Sequence, residues 1–389
     1  MKISQFANKL VAIAIMFIWL MPVSNQLNTL NESMLRNGYI ATLLVLMLVY
    51  VYERRVNIKM ILIGVSILSI LIIFSFIFYA TYQGSSVISW GYLFNFLSFC
   101  ILINIKPSKL SKISIWDTLL DWISVLLISV GILTVMDNKI VEEILRTYYV
   151  NHYPHVYTMM YLKRKTVTFF ATHSISCMIY FLIWWMLDYR NSRKFQWKNS
   201  IFMAGMLFDI VMCQSVSAVM CALIIIGYYY IQWIRHANKK HIIISVELMA
   251  VIIAILILNI DKINLILGSN VNGINGRFGE NGNLWGTLHF AFKNMIPMGF
   301  CDIDGFWLTD GGYFINFIRG GIPLIVLYYY GLFWFLKRNI QDKYRRTYLF
   351  ISLLLFEVGY QFSNCLRFFM LALIMVCFCS WIDKQYSKV

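Results

Sequence analysis

Apolar positions along this chain fall in long runs, and polar positions are confined to short islands between them. The runs at 60–80 and 242–260 carry almost no charge and match the ~20 residues a helix needs to cross the hydrocarbon core. The same pattern predicts spans at 10–23, 38–52, 60–80, 88–105, 115–136 and 167–187. It continues with 201–213, 216–234, 242–260, 322–336, 348–360 and 368–382. The expected fold class is all-α: one polytopic helical membrane domain over residues 1–389, with about twelve transmembrane helices. Two extracytoplasmic loops are expected, at about 137–166 and 261–312.

Composition sharpens this. Hydrophobic residues make up 60% of the chain and charged residues 13%, which excludes an ordinary soluble domain. Mean hydropathy is +0.69. The formal charge of +15 would suit nucleic acid or anionic lipid, but its distribution decides otherwise. About two thirds of the 33 lysines and arginines lie in alternate short connections, among them Arg54, Arg55, Arg190, Arg193, Lys337 and Arg338. By the positive-inside rule those connections are cytoplasmic, which puts both termini on that side. The positive charge is a topology signal, and no nucleic-acid partner is expected. The first span lacks a small-residue cleavage site after Pro22, so it reads as a retained helix. All eight cysteines except Cys301 lie in or beside predicted spans, with neither metal-ligand spacing nor a disulfide framework.

The two long loops hold most of the outward-facing basic residues, against the insertion bias, which implies a use for them. The first contains Glu142, Glu143, Arg146, His152, His155 and the run Lys163-Arg164-Lys165. Residues 141–150 read as a short interfacial helix with Tyr148 and Tyr149 at headgroup level. His152 and His155 have no third ligand at a recognisable spacing, so no metal is expected. Arg164 and its neighbours form either a specific anion site or a general lipid-headgroup contact. His173, about two turns into the following span, faces a cavity or serves as a packing histidine.

The second loop is the more informative. Glycines at 273, 276, 279 and 282 mark successive tight turns that can present backbone N–H groups to an anion, with Arg277 adding a bidentate fork. Residues 284–295 read as an amphipathic helix lying on the membrane, carrying Trp285, His289 and Lys293. Asp302, Asp304 and Asp310 follow. The return to the membrane is irregular: a short helix at 313–319 is broken by Gly320, Gly321 and Pro323 before the span at 322–336. Broken backbone at that depth is tolerated only where protein or a wet cavity covers it. Glu357 and Gln361, one helical turn apart, and Arg367 are expected at the same level, and Asp209 lies well inside a span.

Several of these residues recur in a known order. His173-Ser174 opens one span, and Ser215 and Ser217 flank a tight hairpin. Gly276-Arg277 is followed by Trp285, then Pro297 and Gly299, then Asp310–Tyr313 and Gly320–Ile322. Over about residues 165–325 this resembles the O-antigen polymerase and ligase superfamily, the Wzy-like polysaccharide polymerases. The resemblance implies polymerisation of undecaprenyl-pyrophosphate-linked oligosaccharide repeat units at the outer face of the bacterial cytoplasmic membrane. It implies a glycosyltransferase with no metal and no cofactor. Arg277 matches the arginine of the family's Gly-Arg and Trp285 its tryptophan. Asp310 stands where the ligase branch has a histidine, which favours a polymerase. On this reading Arg277 and Arg164, with Arg319 or Arg367, hold the pyrophosphate, and Asp310 or His173 is the base. The partners implied are the lipid-linked oligosaccharide, membrane lipid, a flippase and a chain-length regulator. Glycosyl transfer from a pyrophosphate needs cationic and N–H groups for the departing charge, and a carboxylate or imidazole near the acceptor hydroxyl. A repeat-unit transporter or flippase is the alternative, and a membrane acyltransferase using His173 a third reading.

Overall fold

The computed structural model of the chain describes residues 57–104, 116–145, 173–190, 197–212, 216–236, 282–303, 311–358 and 366–386. Most of these are helical. The helices are α1 (Ile58–Thr81), α2 (Trp90–Leu102), α3 (Trp116–Val135), α4 (Lys139–Leu145), α5 (His173–Arg190) and α6 (Trp197–Met212). They continue with α7 (Val216–His236), α8 (Asn283–Asn294), α9 (Gly312–Asn339), α10 (Lys343–Phe356) and α11 (Leu366–Tyr386). Two short strands, β1 (Ser86–Ile88) and β2 (Cys301–Ile303), pair antiparallel. Ile58–Thr81, Thr118–Val135 and Gly312–Asn339 are long and apolar enough to cross a membrane. The spans expected at 10–23, 38–52 and 242–260 lie outside the described residues.

α1 shows why such sequences form such elements. The Asn57 side chain caps it by accepting from the Lys59 and Met60 amides at 2.9 and 3.4 Å. Its buried residues, Met60, Gly64, Ile67, Leu71 and Phe78, recur at helical spacing and form one stripe, and α9 is its main packing partner. The opposite face exposes Leu62, Ile73 and Phe76, which suits hydrocarbon and not water. α5 and α11 are the inverse case. Every side chain from Cys177 to Trp184 and from Ala372 to Ile382 is buried. A helix apolar on all sides belongs in the interior, and these two pack on each other. The ring centroids of Tyr180 and Phe378 are 6.2 Å apart. α6, α3 and α7 pack on α5, and α2 and α9 pack on α11.

Two expected boundaries are corrected, and an expected break is present. The short helix expected at 141–150 already begins at Lys139, because the Asn138 side chain caps the Ile140 and Val141 amides at 3.1 and 3.4 Å. Its residues beyond 145, Tyr148 and Tyr149 included, lie outside the described residues. The span expected at 348–360 ends at Phe356. There the carbonyl of Glu357 accepts from the Gly312 amide at 2.8 Å instead of continuing its own helix. Glu357 therefore sits at a helix terminus, and Gln361 lies outside the described residues. The break expected between 313–319 and 322–336 is present: two helical stretches, together labelled α9, meet at a non-helical Gly321 (φ 64°, ψ −161°).

Candidate functional site

The break in α9 follows from its sequence. Pro323 has no N–H, so the carbonyl of Arg319 has no partner four residues on, and Gly321 lets the chain adopt a conformation closed to other residues. The carbonyls released by the break accept from elsewhere. Met298 N–H donates to Ile318 O and Gly299 N–H to Arg319 O, both at 2.8 Å. The chain segment around 298–303 is thereby docked onto the broken helix by main-chain bonds.

The far side of that segment is fixed to α1 and β1. Gly299 has φ 58°, and a Cβ there would lie 2.4 Å from the Leu71 carbonyl and the Ser75 amide nitrogen. Only glycine fits so close to the helix. The Ser75 hydroxyl donates to Leu71 O at 2.6 Å and accepts from Phe300 N–H at 2.7 Å. Ser89 N–H donates to Phe300 O at 2.7 Å, and the strand register places Val87 opposite Asp302.

Arg319 lies at the centre. Its side chain is 3% exposed. Nη1 donates to the carbonyls of Gly299 and Cys301 at 3.1 and 2.9 Å. Nη2 donates to Asp302 Oδ1 at 2.5 Å, and the guanidinium lies 4.1 Å from the Tyr92 ring centroid of α2. Burial pushes the Cys301 thiol up, and nearby Arg319 opposes that shift in part. Asp302 is 39% exposed, so the buried cation is closed on one side by a carboxylate that faces solvent.

α8 borders this arrangement. It buries Leu284 and Thr287, and its Phe290 packs against Phe78 and Tyr82 at 6.5 and 6.1 Å. Trp285, Phe292 and Met295 are exposed, as are His289 and Lys293. An exposed stripe of aromatic, apolar and basic groups is the composition of a helix at a membrane–water boundary. Glu357 is fully buried, with the Tyr328 hydroxyl donating to Oε1 at 3.2 Å. Asp209 is also buried: the Cys177 thiol approaches Oδ2 at 3.7 Å, and Gly131 leaves the room its carboxylate fills.

Of the expected site residues, Arg319 and Trp285 are placed at this end of the helices. His173 is the first residue of α5 and Arg367 the second of α11. Asp310, Arg277 and Arg164 lie outside the described residues, as do His152 and His155. Met298 and Gly299 are joined by main-chain bonds to Ile318 and Arg319, the residues that immediately precede Gly320–Ile322. Ser75 and Tyr92 were not among the expected residues. Nothing local marks them, since Ser75 meets Phe300 across 225 residues of chain. Asp302 had a signal: a buried arginine needs an anion, and three aspartates stood nearby. Among the described residues no cluster of metal-ligating side chains occurs. No protein-family model, curated protein or solved structure matches this chain.

Proposed function

We propose that this chain is a polysaccharide polymerase: a glycosyltransferase that joins undecaprenyl-pyrophosphate-linked repeat units at the outer face of a bacterial cytoplasmic membrane. About twelve spans carry it, with both long loops outside and both termini in the cytoplasm. The donor glycan is released from its lipid pyrophosphate and transferred to a hydroxyl of a second lipid-linked glycan. Arg277 and Arg164 bind the pyrophosphate, and the glycine turns around Arg277 contribute backbone N–H groups.

One observation carries the reading. The amides of Met298 and Gly299 are bonded to the carbonyls of Ile318 and Arg319 just before the helix break at Gly321, and the Arg319 side chain is bonded back to the Gly299 carbonyl. A chain that fixes the end of a long loop so firmly, at a break in a long apolar helix, is holding that end of the loop in a defined place. A solvated connection needs no such anchoring.

Cells lacking the protein should accumulate single lipid-linked repeat units already delivered to the outer face. Units trapped inside would identify a flippase instead. For topology, cysteine at position 281 should react with an impermeant thiol reagent in intact cells, and cysteine at position 191 should not. Reversed labelling would overturn the proposed orientation.

A further inference from the structure

The Arg319–Asp302 pair is asymmetric, with a guanidinium 3% exposed and a carboxylate 39% exposed. The guanidinium is held by two carbonyls, one carboxylate oxygen and a ring face, so turning it to solvent would leave buried carbonyls without a donor. What the pair presents outward is therefore Asp302. Its Oδ1 is anchored by Nη2 at 2.5 Å, and among the described residues its Oδ2 has no partner. Its main chain is fixed as well, opposite Val87 in the strand pair. A carboxylate whose backbone and one oxygen are immobilised, and whose second oxygen meets none of the described residues, is preorganised to accept a proton from a bound hydroxyl.

We propose that Asp302 is the general base of the transfer and that Arg319 is its positioning residue, an inference that rests on the polymerase reading. The acceptor hydroxyl gives its proton to Asp302 Oδ2, and its oxygen bonds to the anomeric carbon of the donor glycan. The bond from that carbon to the pyrophosphate oxygen breaks, and its electron pair leaves on undecaprenyl pyrophosphate. The proton on Asp302 returns to solvent. This role moves Arg319 from substrate contact to support of the base, and leaves the pyrophosphate to other cations.

The test uses the full-length protein in lipid nanodiscs with purified lipid-linked repeat units as both donor and acceptor. Asp302→Asn keeps an acceptor for Nη2, so its melting temperature should match the wild type. Its kcat should fall on the order of 10²–10⁴-fold while KM holds. Formate added to Asp302→Ala should restore part of kcat, a response that a purely structural carboxylate would not give. Arg319→Lys keeps the charge but loses the fork, and should lower kcat more than it raises KM. Full kcat in Asp302→Asn, or a raised KM at normal kcat, would overturn the assignment. If Asp302→Asn fails to fold, formate decides: rescue of the alanine variant supports the base, and no rescue overturns it. A wild-type protein that makes no polymer from these substrates removes the polymerase reading itself, a result separable from any variant's.

Discussion

Two arginines are buried at opposite ends of the α9–α10 pair, and they are held in different ways. Arg345 lies beside the turn that joins the two helices, 7% exposed, with Asp383 at 2.5 Å and Asp342 at 3.5 Å. Asp342 also caps α10, and Asp383 accepts from the Gln341 and Asp342 amides at 2.9 and 3.3 Å. Asp383 is itself only 8% exposed. The carboxylate of α11 is thus tied to both the charge and the main chain of the turn. At the other end Arg319 is satisfied mainly by neutral carbonyls, and its one paired carboxylate among the described residues is half in solvent. The first arrangement is closed and binds α11 to the α9–α10 turn. The second is open, and fixes a loop while leaving a carboxylate outward. The same pair of side chains serves as a staple or as a platform according to how much of the anion stays wet.

The largest expected effect is at the closed cluster. Arg345→Ala leaves the buried Asp383 carboxylate without its cation, beside a partly exposed Asp342, and should destabilise the protein by about 3–5 kcal/mol, read as thermal unfolding in detergent. A neutral outcome would mean the cluster is no staple. Next comes the anchoring of the open cluster. Ser75→Ala removes the acceptor for Phe300 N–H and should cost roughly 1–3 kcal/mol. It should also raise protease cleavage between 295 and 303, and unchanged cleavage would show that the loop is held by something else. Asp302→Asn should cost under about 1 kcal/mol, because its carboxylate is partly solvated and an amide oxygen still accepts from Arg319. A loss as large as that of Arg345→Ala would erase the distinction between the two ends. Smallest is Trp285→Ala, within about 0.5 kcal/mol in stability, since the side chain is 52% exposed. On the proposed polymerase reading, a loss of polymer length in that variant would report contact with lipid or glycan.

Much of this architecture was legible in one dimension because its causes act over a few residues. A run of apolar positions long enough for hydrocarbon, as in α1, is a local property, and so is the capping side chain of Asn57 at its start. The break in α9 was readable for the same reason: Pro323 lacks an N–H wherever it is placed, and Gly321 tolerates the conformation that follows. α8 could be recognised from its own periodicity almost to the residue. The sequence also singled out Arg319, but not which groups would surround it. That its guanidinium would turn to Gly299, Cys301, Asp302 and Tyr92 depends on how α1, α2 and α9 pack. Helix packing is set by side-chain shape across distant segments, and no local pattern encodes it. The same holds for Glu357, whose sequence suggested a helix running on to Gln361 until the Gly312 amide took its carbonyl. Hydrophobic runs and missing N–H groups determined where the helices lie and where one must break. Only the tertiary structure decided how each of the two buried arginines is closed, because that depends on groups brought together from separate elements, from Asp302 nearby in the chain to Tyr92 on a distant helix.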